Sequence, residues 1–308
     1  MPRPRALVHL LLPGLHPFQG HRASLLKRVL AKSSKQKGKP ALSAIAAASY
    51  IADFGHFPEH DYYCCDPVYY QADATQALIF SIPFTGFDND EMSALVAAFN
   101  LHFAAQGLQL EYSEGGSHWY LRGLPSAASP EQIPQLDSVI GQNLQPLLLH
   151  QSLAGLNALL TEAQMLFFQH PVNQARERLG KLPANGVWIY GAGNLPAPSE
   201  INWDLIVTDS PMYKGLASYT DTDYMPIASI VDNWQCLNAK QNILVHTDSL
   251  SNARSAGPSH WQQQIDIIEH NYLKPLLSKL RRGVIKGLVV EDGTGRQHHI
   301  HRLRSLLL

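Results

Sequence analysis

The residues best suited to chemistry lie in the segment His170-Pro-Val-Asn173-Gln-Ala-Arg176. It places an imidazole, an amide and a guanidinium at intervals of three residues. Residues three or four apart share one face of a helix, so we expect Asn173 and Arg176 to lie together, with His170 at the helix entrance. The planar fork of arginine matches the geometry of phosphate and carboxylate groups. The segment therefore predicts an anion-binding helix. A helix cap with ordinary packing is the alternative that the residues leave open.

A glycine turn follows the next apolar run. Gly191-Ala-Gly193 comes directly after Gly186–Tyr190, and Pro-Ala-Asn185 precedes that run. Glycines after a strand let backbone N–H groups approach an anion closely. A single Gly-x-Gly is a weak signal, so it supports the anion interpretation without establishing it.

Together these motifs resemble a known family. The string from His170 to Gly193 looks like the archaeal-type, cofactor-independent phosphoglycerate mutases of the alkaline phosphatase superfamily. The segment Val207-Thr-Asp-Ser-Pro-Met-Tyr-Lys214-Gly215 resembles the part of that family that carries a Lys-Gly pair. A closer resemblance is to the RpfE-type bacterial regulatory proteins, through Asp66-Pro-Val-Tyr-Tyr-Gln-Ala-Asp73 and Trp119-Tyr-Leu-Arg122. These pieces cover most of residues 60–280.

From the residues and the resemblance together, we expect a site for a phosphorylated small molecule. Its candidate residues are His170, Asn173, Arg176, Asn185, Gly191, Gly193 and Lys214. Loss of one charge-assisted hydrogen bond in such a site should weaken binding by about ten- to a hundredfold.

The resemblance is incomplete at the positions that catalysis requires. Mutases of this group hold two metal ions and form a phosphoenzyme on a serine. Their first strand ends in Asp-Gly, where this chain has Pro13-Gly14, and their last strand carries Asp-His, where this chain has Asp292-Gly293. Too few carboxylates would leave two divalent ions uncompensated. We therefore expect a noncatalytic regulatory protein, without a bound metal or other cofactor.

Two alternatives stay open. One is an active metal-dependent phosphoglycerate mutase or phosphotransferase with relocated ligands, drawn from Asp209, His246, Asp248 and His260. The other is a structural interaction module in which the motif only stabilises a helix. A protein partner is compatible with each of these functions, but the sequence does not identify one.

The order of the elements predicts an α/β fold. Strands alternate with helices at both ends of the chain, which indicates a mostly parallel sheet. We expect an alkaline-phosphatase-like core of residues 1–65 plus 191–308, interrupted by an inserted α+β domain of residues 66–190. The strand at Leu7–Leu12 should then lie in one sheet with the strand at Ile243–His246.

Composition limits the classes of partner. The 308 residues include 24 Lys plus Arg and 25 Asp plus Glu, so the net charge of −1 gives no general attraction for nucleic acid. No apolar stretch reaches the roughly 20 residues that a membrane-spanning helix needs. The three cysteines form no disulfide framework, which favours a reducing compartment and predicts a cytoplasmic protein.

Two further segments are interpreted as solvent-exposed. The basic run Lys32–Pro40 predicts a mobile loop, and the histidines at positions 298, 299 and 301 predict an exposed tail without a metal.

Overall fold

The computed structural model describes residues 5–15, 24–37, 44–72, 76–124, 133–144, 154–255 and 258–302. The chain forms two compact units, one of residues 1–42 plus 196–308 and the other of residues 43–195. The described strands are β1 (Ala6–Leu11), β2 (Ser34–Lys37), β3 (Tyr63–Ala72), β4 (Ala77–Ser81), β5 (Gln109–Tyr112), β6 (Trp119–Arg122), β7 (Gly186–Tyr190), β8 (Leu205–Val207), β9 (Asp223–Met225), β10 (Asn242–His246), β11 (Ile285–Glu291) and β12 (Arg296–Ile300). The described α-helices are α1 (Leu25–Lys32), α2 (Ile45–Phe54), α3 (Asn89–His102), α4 (Leu136–Val139), α5 (Ala154–Phe168), α6 (Pro171–Arg178), α7 (Pro211–Thr220), α8 (Ile227–Asp232), α9 (Ser249–Ser255), α10 (Pro258–Ile268) and α11 (Lys274–Arg281).

The first unit is built on a mostly parallel sheet of seven strands. Their order is β2-β12-β11-β1-β10-β8-β9, and the five strands from β11 to β9 run parallel. Within it β1 pairs with β10, Leu7 opposite Asn242 and Leu11 opposite His246. The predicted neighbourhood of the first strand and the strand at Ile243–His246 is therefore confirmed.

One face of this sheet carries the apolar core of the first unit. Val8 and Leu10 of β1 point to the same face because strand side chains alternate, and both are fully buried. Leu26 and Val29 of α1, together with apolar residues of α8 to α11, pack in the same cluster. Ser24 caps α1 by accepting from the Lys27 backbone N–H at 3.3 Å. The core therefore fixes the strand ends that form the candidate site.

The second unit is a separate, antiparallel α+β structure. Strands β4, β3, β6 and β5 follow one another, and β7 pairs with β3. The segment Asp88-Asn-Asp-Glu91 predicts a capped helix start, and α3 begins there. The Asp88 side chain accepts from the Glu91 backbone N–H, and the Glu91 side chain accepts from the Asp88 backbone N–H. Gly115-Gly116, between two segments of alternating polarity, predicts a hairpin, and β5 and β6 form it. Trp119 and Trp188 are almost fully buried in its core.

The structure corrects three sequence interpretations. Ser34–Lys37, within the predicted basic loop, is strand β2 and pairs antiparallel with β12. His298 is not exposed, because it lies in β12 with 4% of its surface accessible and its Nδ1 is 2.7 Å from Ser33 Oγ. The amphipathic pattern of Trp261–Leu280 predicts one long helix, but a π-helical turn at Glu269–Leu273 divides it.

The limits of the compact units differ from the boundaries expected at 65/66 and 190/191. Helix α2 falls in the second unit because Ala46 and Tyr50 are buried in its core. A glycine after the helical run predicts a helix end at Gly55, and α2 ends there with that glycine in the left-handed conformation at φ 75°. No helix in the described ranges is long and apolar enough to cross a membrane.

Candidate functional site

Polar residues collect where the parallel strands of the first unit end. We name this group the carboxyl-edge cluster. It consists of Thr208, Ser210, Tyr213, His246, Asp248 and Glu291. In open α/β sheets, ligands bind in the crevice outside the carboxyl ends of the strands. The cluster therefore occupies the place in this sheet where a ligand is expected.

A buried histidine connects the cluster. His246 ends β10 with 2% of its surface exposed, and its two ring nitrogens have different partners. Nε2 lies 3.0 Å from Asp248 Oδ1, and Nδ1 lies 2.9 Å from Thr208 Oγ1. Since an ionised carboxylate only accepts, Nε2 carries a hydrogen, and in the neutral ring Nδ1 accepts from the Thr208 hydroxyl. Asp248 thus fixes the orientation of the imidazole.

Thr208 has a structural role in the cluster and is not a candidate nucleophile. Its side chain is fully buried, and its oxygen also accepts from the Ser210 backbone N–H at 2.9 Å. Threonine, histidine and aspartate here follow the order of a catalytic triad. A hydroxyl that is closed off from solvent cannot attack a substrate, so this network holds the ends of β8 and β10 together.

Tyr213 lies beside the buried histidine of the cluster. It lies in the first turn of α7, and its ring is 4.4 Å from the His246 ring, centroid to centroid. Burial first, and then the negative charges of Asp248 and Glu291, raises the pKa of Tyr213. The residue is 6% exposed, so its ring packs against His246 at the edge of the cluster.

Glu291 and Asp248 together form the acidic side of the cluster. It ends β11 opposite Leu11, which pairs on its other side with His246. Burial raises the pKa of Glu291, the hydrogen bond from Gln297 opposes that rise, and Asp292 adds to it. The acidic side therefore favours a ligand group that donates hydrogen bonds or carries positive charge.

The strand ends beside the cluster do not fit the metal ions that the sequence resemblance implies. Gly293 has φ 81°, and a Cβ built on it would lie 3.3 Å from Cα and 3.4 Å from Cβ of Pro13. The two positions where the mutases carry metal ligands thus pack against each other and offer no ligating side-chain atom. Within the described ranges, no three His, Cys, Asp or Glu side chains are grouped closely enough to hold a metal.

In the second unit, the predicted anion motif forms the expected helix. His170 is the N-cap of α6, and its side chain accepts from the Val172 backbone N–H at 3.3 Å. Asn173 is 2% exposed and donates to Phe167 O and Ala184 O, each at 2.8 Å. Its Oδ1 accepts from the Ala184 backbone N–H, also at 2.8 Å. These three hydrogen bonds of the Asn173 side chain therefore connect Phe167, which precedes α6, to Ala184, which follows it.

Arg176 shares a face of α6 with Asn173, as predicted, and is equally buried. Its Nε donates to Leu182 O at 2.9 Å, while one terminal nitrogen donates to Gly86 O at 3.0 Å and to Glu91 Oε2 at 2.7 Å. The guanidinium also lies 4.2 Å from the centre of the Phe87 ring. These contacts favour the packing alternative for this residue.

The other predicted residues are divided between the two units. Asn185 exchanges two hydrogen bonds with the Tyr70 backbone, accepting at 2.6 Å and donating at 2.9 Å. Gly191 has φ 72°, and a Cβ there would lie 3.0 Å from Ile45 Cβ. Gly193 also has a positive φ, at 148°. Lys214 is exposed on α7 of the first unit. The anion role of the seven residues stays a prediction.

Sequence reasoning named only part of the carboxyl-edge cluster. His246 and Asp248 were candidates for relocated ligands, and they are in contact. Asp209 instead accepts from the Ile227 backbone N–H at 3.1 Å, and His260 is exposed on α10. Thr208, Ser210, Tyr213 and Glu291 were missed. The signal available was a polar residue at the end of each apolar strand, as in Val207-Thr208, Val245-His246 and Val290-Glu291.

Comparison with known proteins gives a distant likeness. No family model matches the chain, and no curated protein matches it. Among solved structures, it is similar to the cofactor-independent phosphoglycerate mutase from Thermoplasma acidophilum DSM 1728, with 17% identity over 96% of this chain and 90% of that chain and a TM-score of 0.42. It is also similar to the PH0037 protein from Pyrococcus horikoshii, with 14% identity over 97% of this chain and 88% of that chain and a TM-score of 0.45. The functional argument therefore rests on the residues of this chain.

Proposed function

We propose that this protein is a noncatalytic regulatory relative of the phosphoglycerate mutases that binds a phosphorylated small molecule at the carboxyl-edge cluster. The observation that carries the noncatalytic part is the packing of Pro13 against Gly293. The mutases that the sequence resembles need ligating side chains at both positions. Without them, metal-assisted phosphoryl transfer loses the charge that stabilises its transition state.

Two features of the cluster support a ligand that has a phosphate group at one end and no negative charge at the other. The first turn of α7 has backbone N–H groups that the Ser210 side chain does not cap, and Lys214 is exposed in that turn. Helix N-termini favour anions such as phosphate. Asp248 and Glu291 would repel a second negative group. The ligand class is therefore a phosphate ester whose other end carries a hydroxyl or an amine.

Calorimetric titration of the full chain tests this proposal. The ligands are inorganic phosphate, 3-phosphoglycerate, glycerol 3-phosphate and phosphoethanolamine. We expect the last two to bind more tightly than 3-phosphoglycerate, because its carboxylate meets the acidic side. Asp248→Asn should weaken binding of phosphoethanolamine by about ten- to a hundredfold, since a charge-assisted hydrogen bond is lost.

The matched control is Asp266→Asn, because Asp266 is exposed on α10 and contacts Gln262. This variant should bind like the wild type. Absence of heat with all four compounds at millimolar concentration would refute the binding proposal. Tighter binding of phosphoethanolamine by Asp248→Asn would refute the assigned role of Asp248.

A second candidate, an active phosphotransferase, is favoured by the contact of His246 with Asp248, which orients the imidazole. In that case His246→Gln would abolish turnover of a phosphate ester, whereas our proposal expects no turnover in either protein.

A further inference from the structure

A second group of titratable side chains lies in the second unit, apart from the cluster described above. Asp66 of β3 is 5% exposed and accepts from Tyr190 Oη at 2.7 Å. Its two oxygens lie 3.1 and 3.0 Å from Nδ1 of His118, which precedes β6. A carboxylate that accepts from Nδ1 fixes the orientation of the ring. The imidazole therefore links the β5–β6 hairpin to β3 and, through Tyr190, to β7.

A second carboxylate holds the same turn. Oδ2 of Asp53, in α2, accepts from Ser117 N and Ser117 Oγ, both at 2.9 Å, and from Tyr120 Oη at 2.6 Å. A Cβ on Gly116 would lie 3.2 Å from the same oxygen and 2.8 Å from Ser113 O. The turn is thus held closely against two acids from different elements.

The charges around His118 are negative on several sides. Burial lowers the pKa of His118, but Asp66, Asp53 and Asp137 raise it more, so the net pKa lies above the ordinary value. The polar groups that face the ring are Asp66 from β3, Asp53 from α2, Asp137 from α4, Tyr190 from β7 and Tyr120 from β6. The cation on His118 therefore compensates the carboxylate of Asp66, which the fold has buried.

We propose that His118 is a proton-dependent clasp that holds the β5–β6 hairpin against β3 and α2 when it is charged and loosens the hairpin when it loses its proton. The proposal is independent of the ligand site in the first unit. It identifies proton concentration as a regulatory input to the second unit.

The sign of the effect follows from the direction of the shift. A histidine whose folded pKa exceeds its unfolded value adds stability that is fully present below about pH 6.5 and disappears as the pH rises through the folded pKa. The hairpin should therefore be protected at pH 6 and less protected at pH 8.5.

The test is an NMR titration of the histidine side chains in the full chain, combined with hydrogen exchange of the amides of residues 109–122. We expect His118 to titrate above pH 6.5, and exchange protection, corrected for the intrinsic rate, to be lower at pH 8.5 than at pH 6. Titration of His118 at or below pH 6.5 in the wild type would overturn the proposal, whatever the variants do.

Substitutions distinguish the effect of the His118 charge on the hairpin from the effect of its packing. His118→Asn retains a donor near the Nδ1 position and removes the charge, so its hairpin protection should be low and independent of pH in this range. Asp66→Asn should bring the His118 pKa down. The matched control is His102→Gln, because His102 pairs with Glu162 at 2.8 Å on the surface of the same unit, with 40% of its side chain exposed. This control should keep the wild-type pH dependence. A pH dependence that survives in His118→Asn would also overturn the proposal.

Discussion

Replacing Arg176 by alanine should destabilise the second unit without changing the response of the protein to phosphate esters. The side chain is 2% exposed, and its donors go to Leu182 O, Gly86 O and Glu91. Removing one partner of a buried ion pair costs about 3–5 kcal/mol, because the remaining charge is left uncompensated. The original anion hypothesis predicts loss of binding, so this substitution distinguishes the two roles.

The loss of unfolding free energy in Arg176→Ala should lie at the lower end of the range of about 3–5 kcal/mol. Glu91 is 14% exposed, accepts from Asp88 N–H and lies 4.0 Å from the Lys181 amine, so it keeps part of its compensation. We therefore expect a loss of about 3 kcal/mol. In a domain of this size, each kcal/mol lowers the Tm by about 2–4 °C, so the Tm should fall by about 6–12 °C.

The assay is thermal unfolding with and without glycerol 3-phosphate, compared among three variants. Arg178→Ala is the matched control, because Arg178 is exposed on α6 and its Nε donates within the helix to Gln174 O at 3.2 Å. It should change stability by less than about 0.5 kcal/mol. Arg176→Lys should lie between the two, because it keeps the charge and loses the fork. If Arg176→Ala unfolds at the same temperature as Arg178→Ala and no longer responds to the ligand, the structural role is refuted.

Two further predictions concern the two units separately. Asn173→Ala should lower the free energy of unfolding by about 2–4 kcal/mol, because it leaves Ala184 N and two carbonyl groups without their partner. Gln174→Ala, an exposed neighbour, is its control in denaturant unfolding, and equal midpoints would contradict the prediction. Burial and the nearby His299 lower the pKa of His9 to about 4, so the first unit should lose stability as the pH falls from about 6.5 to 4. The loss is on the order of 3 kcal/mol at pH 4, and His9→Phe should flatten this part of the pH profile. An unchanged profile would show that His9 does not control it.

The cap and turn residues made the local structure predictable. Local hydrogen bonds define three of these features: the cap formed by Asp88 with Glu91, the helix end at Gly55 and the turn at Gly115-Gly116. Because each involves residues close together in the chain, its structure can be predicted from the local sequence. The motif from His170 predicted a capped helix with Asn173 and Arg176 on one face, and this is what forms. Its partners come from other parts of the chain. The Glu91 carboxylate and the Gly86 carbonyl are far from Arg176 in sequence, so no local pattern shows that the guanidinium is already occupied.

Long-range pairing explains what was not predicted. The residues of β2, Ser-Lys-Gln-Lys, have no apolar alternation, and the strand exists because its backbone pairs with β12. The π-helical turn at Glu269–Leu273 coincides with a distant contact, in which the Glu269 carboxylate accepts from the Leu26 backbone N–H at 2.7 Å. The carboxyl-edge cluster draws on the ends of β8, β10 and β11, so its composition becomes visible only once the strand order is known.

The central claim is that the chain binds a phosphate ester and does not convert it. The most direct test is a ³¹P NMR spectrum of the protein with an equimolar mixture of 3-phosphoglycerate and glycerol 3-phosphate in the presence of Mg²⁺. We predict that the glycerol 3-phosphate resonance broadens or shifts more than that of 3-phosphoglycerate, and that no new phosphorus resonance grows with time. A growing resonance of 2-phosphoglycerate would contradict the noncatalytic assignment, and two unperturbed resonances would contradict the binding site.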